Sequence, residues 1–330
     1  MKSEMNSEPD TSPTVGYYGK PIVRAHVWKD AIGWYFFTGG LAGASSVLAE
    51  AAELSGRSRL ATHARRASMV GLLPSPVLLI VDLGRPQRFY NMLRVFKPSS
   101  PMSVGSWLLM AYSPAAGGAW VLGELGLFPR LRRALGLTAA LIGPAIASYT
   151  AVLVADTATP AWHEAKGELP FVFVSSAAAS AGAAANALSI VDGAPSPVAA
   201  RIAGLGAGLE VGAATLMKKR LGDLDVYSTD SATKRLDRAA GGLSIGGAVA
   251  SLVSLAVPSR WPTVRRAVGM VGSLAVLAGS ICERLSVVRA GTASANDPSS
   301  VLMQQARRVE PDRQGERRSS SIASPNDKNR

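Results

Sequence analysis

The sequence predicts an all-α polytopic membrane protein with eight transmembrane helices, arranged as two four-helix bundles. Three observations carry this expectation. The 330 residues are 48% hydrophobic and only 18% charged, against about 25% charged in soluble domains, and the mean hydropathy is +0.18. The charges fall in short clusters, separated by uncharged runs close to the roughly 17–25 residues that cross a bilayer. Finally, Met102 to Gly123 and Leu169 to Val191 show no polar stripe at helical period, which a buried helix of a soluble bundle would keep on its wet face.

Taken in order, the first 25 residues are polar, with Pro13 and Pro21, and lack the basic start, apolar core and small-residue cleavage site of a signal peptide. The uncharged runs are Ala31 to Ala49, Ala67 to Val81, Met102 to Gly123, Ala134 to Ala155, Leu169 to Val191, Ala239 to Ser259 and Ala267 to Cys282. An eighth segment, Pro197 to Met217, is broken only by Arg201 and Glu210. The eight-helix domain therefore spans 26–292, and 293–330 reads as a disordered basic tail. Small residues crowd the spans. Ser176 to Ala187 is nearly all Ala, Ser and Gly, and Gly204, Gly208 and Gly212 recur every fourth residue, as expected where helices pack closely in lipid. Pro74, Pro76 and Pro144 lie inside spans and predict kinks.

Composition removes several functions. A net charge of +12 suggests nucleic acid until the basic residues are located between spans, where no nucleic-acid surface is built. A lone cysteine, Cys282, excludes a disulfide framework and a Cys-ligated iron–sulfur cluster within this chain. His26, His63 and His163 are too few and too scattered for paired haem ligands, and no metal site is expected. An even helix count puts both termini on one membrane side, which then holds 24 of the 35 Lys and Arg against 11 on the other. That points to cytoplasmic termini, although Arg57, Arg59, Arg65 and Arg66 oppose it.

The most distinctive stretch runs DLGRPQRFYNMLR from Asp82 to Arg94 and continues VFKPSSPMSVGSW to Trp107. A span ends in an acid, a Pro-restricted turn follows, and an amphipathic segment places Arg85, Arg88 and Arg94 among Phe89, Tyr90, Met92 and Leu93. Asp82 and Arg85, three apart at a helix end, are spaced to pair. This stretch closely resembles the signature of the NrfD-type proteins, the polysulfide-reductase-like membrane subunits. Four other segments are similar to the same family: Val27 to Ser45 with its Gly-rich exit, Ser148 to Leu153, Thr157 to Phe173, and Arg284 to Pro298. The resemblance covers roughly residues 18–298.

The resemblance implies a subunit without haem or cluster in the cytoplasmic membrane of a bacterium. It would exchange electrons between the quinone or menaquinone pool and a docked ferredoxin-like iron–sulfur subunit, which serves a molybdopterin catalytic subunit. A quinone site needs an apolar slot, hydrogen-bond donors and a proton route. Tyr149, a phenol in an apolar span, is the leading donor, with the interfacial aromatic belt as its alternative. Trp28, Asp30 and Asp82 share its membrane side and join the quinone-binding set. Asp30 and Asp82 are proton-transfer candidates together with Glu210, since an intramembrane acid is functional by default. Asp30 is equally explained as a helix N-terminal acid. Arg85, Arg88, Arg94 and Lys97 are the docking candidates. Arg284 is expected to snorkel to headgroups. Family members with an external partner need the docking loop outside, whereas the charge count puts it inside; the side stays open. The competing functions are a secondary transporter or proton-conducting protein using Asp82, Glu210 and Asp156, and a passive anchor.

Overall fold

The computed structural model describes residues 30–82, 87–222, 226–297 and 300. Among them there is no strand. Long helices are α1 (Asp30–Leu54), α5 (Pro101–Leu125), α6 (Pro129–Ala155), α8 (Leu169–Val191), α9 (Pro197–Leu221), α11 (Ser231–Ala256) and α12 (Pro262–Asn296). Helices α2 (Ser58–Leu72) and α3 (Pro74–Asp82) form one bent unit, and three short helices lie in connections: α4 (Gln87–Met92), α7 (Pro160–Glu164) and α10 (Val226–Thr229). Among the described residues, five units are long and apolar enough to cross a membrane: Ser58–Asp82, Pro129–Ala155, Leu169–Val191, Ser231–Ala256 and Pro262–Asn296. Six of the eight runs read from the sequence lie within single long helices, whereas Ala67 to Val81 spans the bent α2–α3 unit and Ala239 to Ser259 continues past the end of α11.

Local chemistry sets the boundaries. Ser100 and Ser196 cap α5 and α9, their hydroxyls accepting from Ser103 N and Ala199 N, and each is followed by proline at the first helical position. Asp230 accepts from Thr233 N at 2.7 Å to cap α11, and hydrogen bonding to Thr233 holds its carboxyl below the ordinary range. Gly126, at φ 66°, ends α5 in the left-handed conformation a glycine adopts freely. Of the expected kinks, the break at Leu73–Pro74 divides α2 from α3, whereas Pro144 lies inside a continuous α6.

Helix α1 packs on α2, α3 and α6, and α5 on α6 and α2; α8 packs on α9 and α12, and α11 on α9 and α12. Helix α8 also touches α1, α2 and α6, so it carries most of the junction between the early and late helices. The contacts are backbone-close. A β-carbon on Gly206 would lie 2.7 Å from Ala179 Cα, and one on Gly247 2.6 Å from Gly272 O. The Gly204–Gly208–Gly212 stripe behaves differently from its expected role. Gly204 meets Leu252, but Gly208 and Gly212 have nothing within 4 Å. The close contact belongs to Gly206, about 200° around the helix from its neighbours in that stripe. The tail boundary also moves, because α12 stays helical to Asn296 rather than ending near residue 292.

Gly206→Val should therefore destabilise the chain by about 2 kcal/mol, since the clashing atoms are backbone and cannot swing away. Gly208→Val should leave the thermal midpoint of the purified protein almost unchanged. Equal effects at both positions would contradict this packing.

Candidate functional site

The predicted residues Tyr149 and Asp82 meet at one cavity. It lies where the start of α1, the end of α3, the start of α5 and the last two turns of α6 come together. Its walls are apolar at Ile32, Leu79 and Leu153, and polar at Tyr35, Asp82, Ser106 and Tyr149. The Tyr149 and Tyr35 hydroxyls are hydrogen-bonded to each other. Tyr149 rests against α5 at Gly105, where any side chain would occupy the space of its ring. Tyr149 is therefore a part-buried residue packed between α1 and α5. Six residues from the end of α6, it lies about 9 Å below that helix end.

The cavity measures about 30 Å³, room for one or two waters. Met92 of α4 and Met102 of α5 line it, and both also line an outer groove of about 220 Å³ with Lys97 and Ser103. Two unbranched, adaptable thioether side chains thus separate the inner chamber from the surface. The segment above is fastened to α5. Ser103 Oγ accepts from Lys97 N at 3.0 Å and donates to Val95 O at 3.2 Å, and the Phe96 and Trp107 rings meet edge-on at 6.0 Å.

Of the other predicted residues, Trp28 and Arg85 lie outside the described residues, as does the side chain of Arg88. Asp30 begins α1, five residues before Tyr35. Arg94 and Lys97 are exposed beside the groove. Glu210 is buried, 2% exposed, on α9, among helices that do not line this cavity. Its Oε2 accepts a weak 3.4 Å bond from Ser244. It borders a second cavity of about 30 Å³ with Glu283, Ser244, and the Lys218–Asp237 ion pair, whose two N–O distances are 2.8 and 2.9 Å.

Arg284 corrects a sequence expectation. It does not snorkel; it is 1% exposed, donates from Nη2 to Phe173 O at 2.6 Å, and stacks 3.8 Å over the Phe173 ring. Because α12 continues for twelve residues beyond it, Arg284 lies inside the helix rather than at its end. Glu210 Oε1, Glu283 Oε1 and Arg284 Nη1 are buried without a hydrogen-bond partner among the described residues.

Sequence reasoning passed over Tyr35, Glu283 and a network in the early helices. Tyr112 donates to Ala42 O at 2.6 Å and lies 2.7 and 2.9 Å from the Ser46 and Ser68 hydroxyls. Deeper toward the other helix ends, Glu53 pairs with Arg65 and, at 2.8 Å, with Arg132, beside the buried Glu50. Tyr35 carried the same signal as Tyr149, a phenol within an apolar run. Glu283 and Glu50 sat at run edges, where a charge reads as solvated.

A family model described as "Polysulphide reductase, NrfD" matches residues 23–295. The chain belongs to the NrfD family. None of the curated proteins compared with it matches. Membership in the NrfD family fits a multi-pass membrane subunit of polysulphide-reductase-like complexes, and the five membrane-crossing units agree with it. The match covers both the Tyr149 cavity and the Glu210 cluster, so both belong to the NrfD region of the chain.

Arg284→Met should cost about 3 kcal/mol, because it strands the Phe173 carbonyl and removes a buried positive charge from the neighbourhood of the Glu210 and Glu283 carboxyl groups. Adding Glu283→Gln should recover part of the loss. Thermal unfolding of the two variants in detergent checks this, and additive losses would show that the groups do not interact.

Proposed function

We propose that this chain is the quinone-reactive membrane subunit of a multisubunit oxidoreductase, with all eight long helical units crossing the membrane as two four-helix groups. In this reading it passes electrons between quinone or menaquinone and a ferredoxin-like iron–sulfur subunit, which in turn serves a molybdopterin subunit of the formate dehydrogenase or polysulfide reductase kind. The membrane is the cytoplasmic membrane of a bacterium. The observation that carries the reading is the convergence of Tyr149, Tyr35 and Asp82 on one apolar-walled cavity beneath the segment rich in basic residues. A quinone bound there would exchange two electrons and two protons per turnover.

The residues present fit such a substrate. Ile32, Leu79 and Leu153 offer apolar walls, and the two phenols offer donors for a carbonyl oxygen. Bonding each other, the tyrosines exchange that bond for one to the substrate, so neither hydroxyl is left unpaired in either state. Asp82, half-buried at the end of α3, is placed to take up or release protons at the membrane surface. At about 30 Å³ the chamber is smaller than a quinone ring, so entry requires Met92 and Met102 to swing toward the 220 Å³ groove. Arg94 and Lys97, exposed beside the groove, supply positive charge for an acidic partner there, and Arg85 and Arg88 belong to the same stretch of sequence. The distance from chamber to docked cluster is thereby kept short.

A specific observation also favours proton conduction. Glu210 and Glu283 face a small cavity closed at one end by Lys218–Asp237. Two carboxyl groups against one guanidinium leave place for one exchangeable proton. This second reading, a proton-conducting protein, differs from the first in needing no quinone.

In the purified complex, Tyr149→Phe and Asp82→Asn should each slow oxidation of a menaquinol analogue by about 100-fold, the scale of one positioned proton-transfer group. Assembly with the iron–sulfur subunit should be intact. Met102→Trp should raise the apparent KM by blocking entry. Unimpaired turnover in both site variants would remove the quinone site from this cavity. Absence of any co-purifying iron–sulfur subunit, together with proton flux in vesicles that Glu210→Gln abolishes, would favour the second reading.

A further inference from the structure

Four arginines, Arg57 and Arg59 at the turn between α1 and α2 and Arg65 and Arg66 within α2, oppose the charge asymmetry of the chain, and the redox reading gives them no task. The structure divides them into two pairs. Arg65 is bonded to Glu53, and Arg66 holds Glu124 through two bonds of 2.7 and 2.9 Å. Arg57 and Arg59 make no ion pair within 4 Å among the described residues. Both line a cavity of about 1090 Å³, much larger than the Tyr149 chamber. It opens where α1 gives way to α2 and α8 gives way to α9, at the helix ends opposite that chamber.

The wall shared by the two turns is a hydrogen-bonded seam. Buried His63 of α2 lies 2.9 Å from Ser189 Oγ through Nδ1 and 2.6 Å from Asp192 Oδ2 through Nε2, both partners belonging to the end of α8. The bond to His63 holds the Asp192 carboxyl below the ordinary range, so it is ionised at neutral pH. Two guanidinium groups against one carboxylate leave positive charge in excess on the cavity wall. That suits a phosphodiester.

Position selects the source of the phosphate. The cavity is level with the starting end of Ser58–Asp82 and the finishing end of Leu169–Val191, both of membrane-crossing length. Headgroups lie at that level, and basic pockets between spanning helices bind them there. Leu54 and Val191, exposed at the same ends, offer apolar surface to acyl chains. We propose that this cavity is a binding site for the headgroup of a phospholipid, whose phosphodiester is held by Arg57 and Arg59 and whose seat bridges α2 and α8. Such a lipid would tie the early helices to the late ones at the face remote from the quinone chamber.

The test is native mass spectrometry and thermal unfolding of the detergent-purified protein with phosphatidylglycerol. The wild type should retain one lipid per chain and unfold at a higher temperature with it. Millimolar inorganic phosphate should neither displace the lipid nor stabilise the protein. Arg57→Ala/Arg59→Ala should weaken retention at least tenfold, and Arg57→Lys/Arg59→Lys, which keeps charge but loses the planar fork, should fall between. Equal retention in wild type and the alanine variant would overturn the proposal. So would stabilisation by phosphate that competes with the lipid, which would make the cavity a site for a free anion. The wild-type competition decides the matter even for a variant that does not fold.

Discussion

Helix pairing in this protein depends on the close approach of backbones where a side chain is missing. In lipid no hydrophobic force draws helices together, so contact comes from packing and from hydrogen bonds that the bilayer cannot replace. Gly206 against Ala179, Gly247 against Gly272, and Gly43 against Gly143 bring helices together along their backbones. The same device seats the large rings. Tyr149 lies on Gly105, and Trp162 fills the space at Gly291 while its indole donates to Val287 O at 2.7 Å. A glycine opposite an aromatic ring does two things at once: it fixes the ring's position and brings its polar end to a defined partner. The Tyr149 chamber is a consequence of that arrangement, since the ring can reach Tyr35 only because α5 yields at Gly105.

Much of the fold could be read from the sequence, because the bilayer imposes a length and a solvent on each helix. The uncharged runs fall on the long helices, and Tyr149 and Asp82, chosen from separate segments, border one cavity. Other features escaped for physical reasons. A spacing of four in Gly204, Gly208 and Gly212 marks a helix face but not which neighbour that face meets, and here most of it meets no neighbour. Arg284 closed an apolar run and so looked like a terminus, yet α12 continues because Ala, Gly, Ser and Val carry the helix on to Asn296. Its burial depends on Phe173, distant in sequence, supplying both a carbonyl and a ring face. Neither partner is visible from the arginine itself.

The two ionisable clusters are set apart by what lies between them. From the chamber, Tyr35 adjoins Phe36, with ring centroids 6.3 Å apart, and Phe36 packs on Phe173 at 5.8 Å. Phe173 in turn carries Arg284, beside which Glu210 and Glu283 are buried. Phenyl rings carry no exchangeable proton, so this row is a barrier to hydrogen-bonded proton transfer along its own line. It is at the same time a continuous packed contact from α1 through α8 to α12. A protonation change at Glu210 or Glu283 that moved Arg284 would press on Phe173, and through it on Phe36 and the helix that bears Tyr35. Any linkage between the clusters along this row is therefore mechanical, and it passes through α8, the same helix whose far end forms the Asp192 side of the basic cavity.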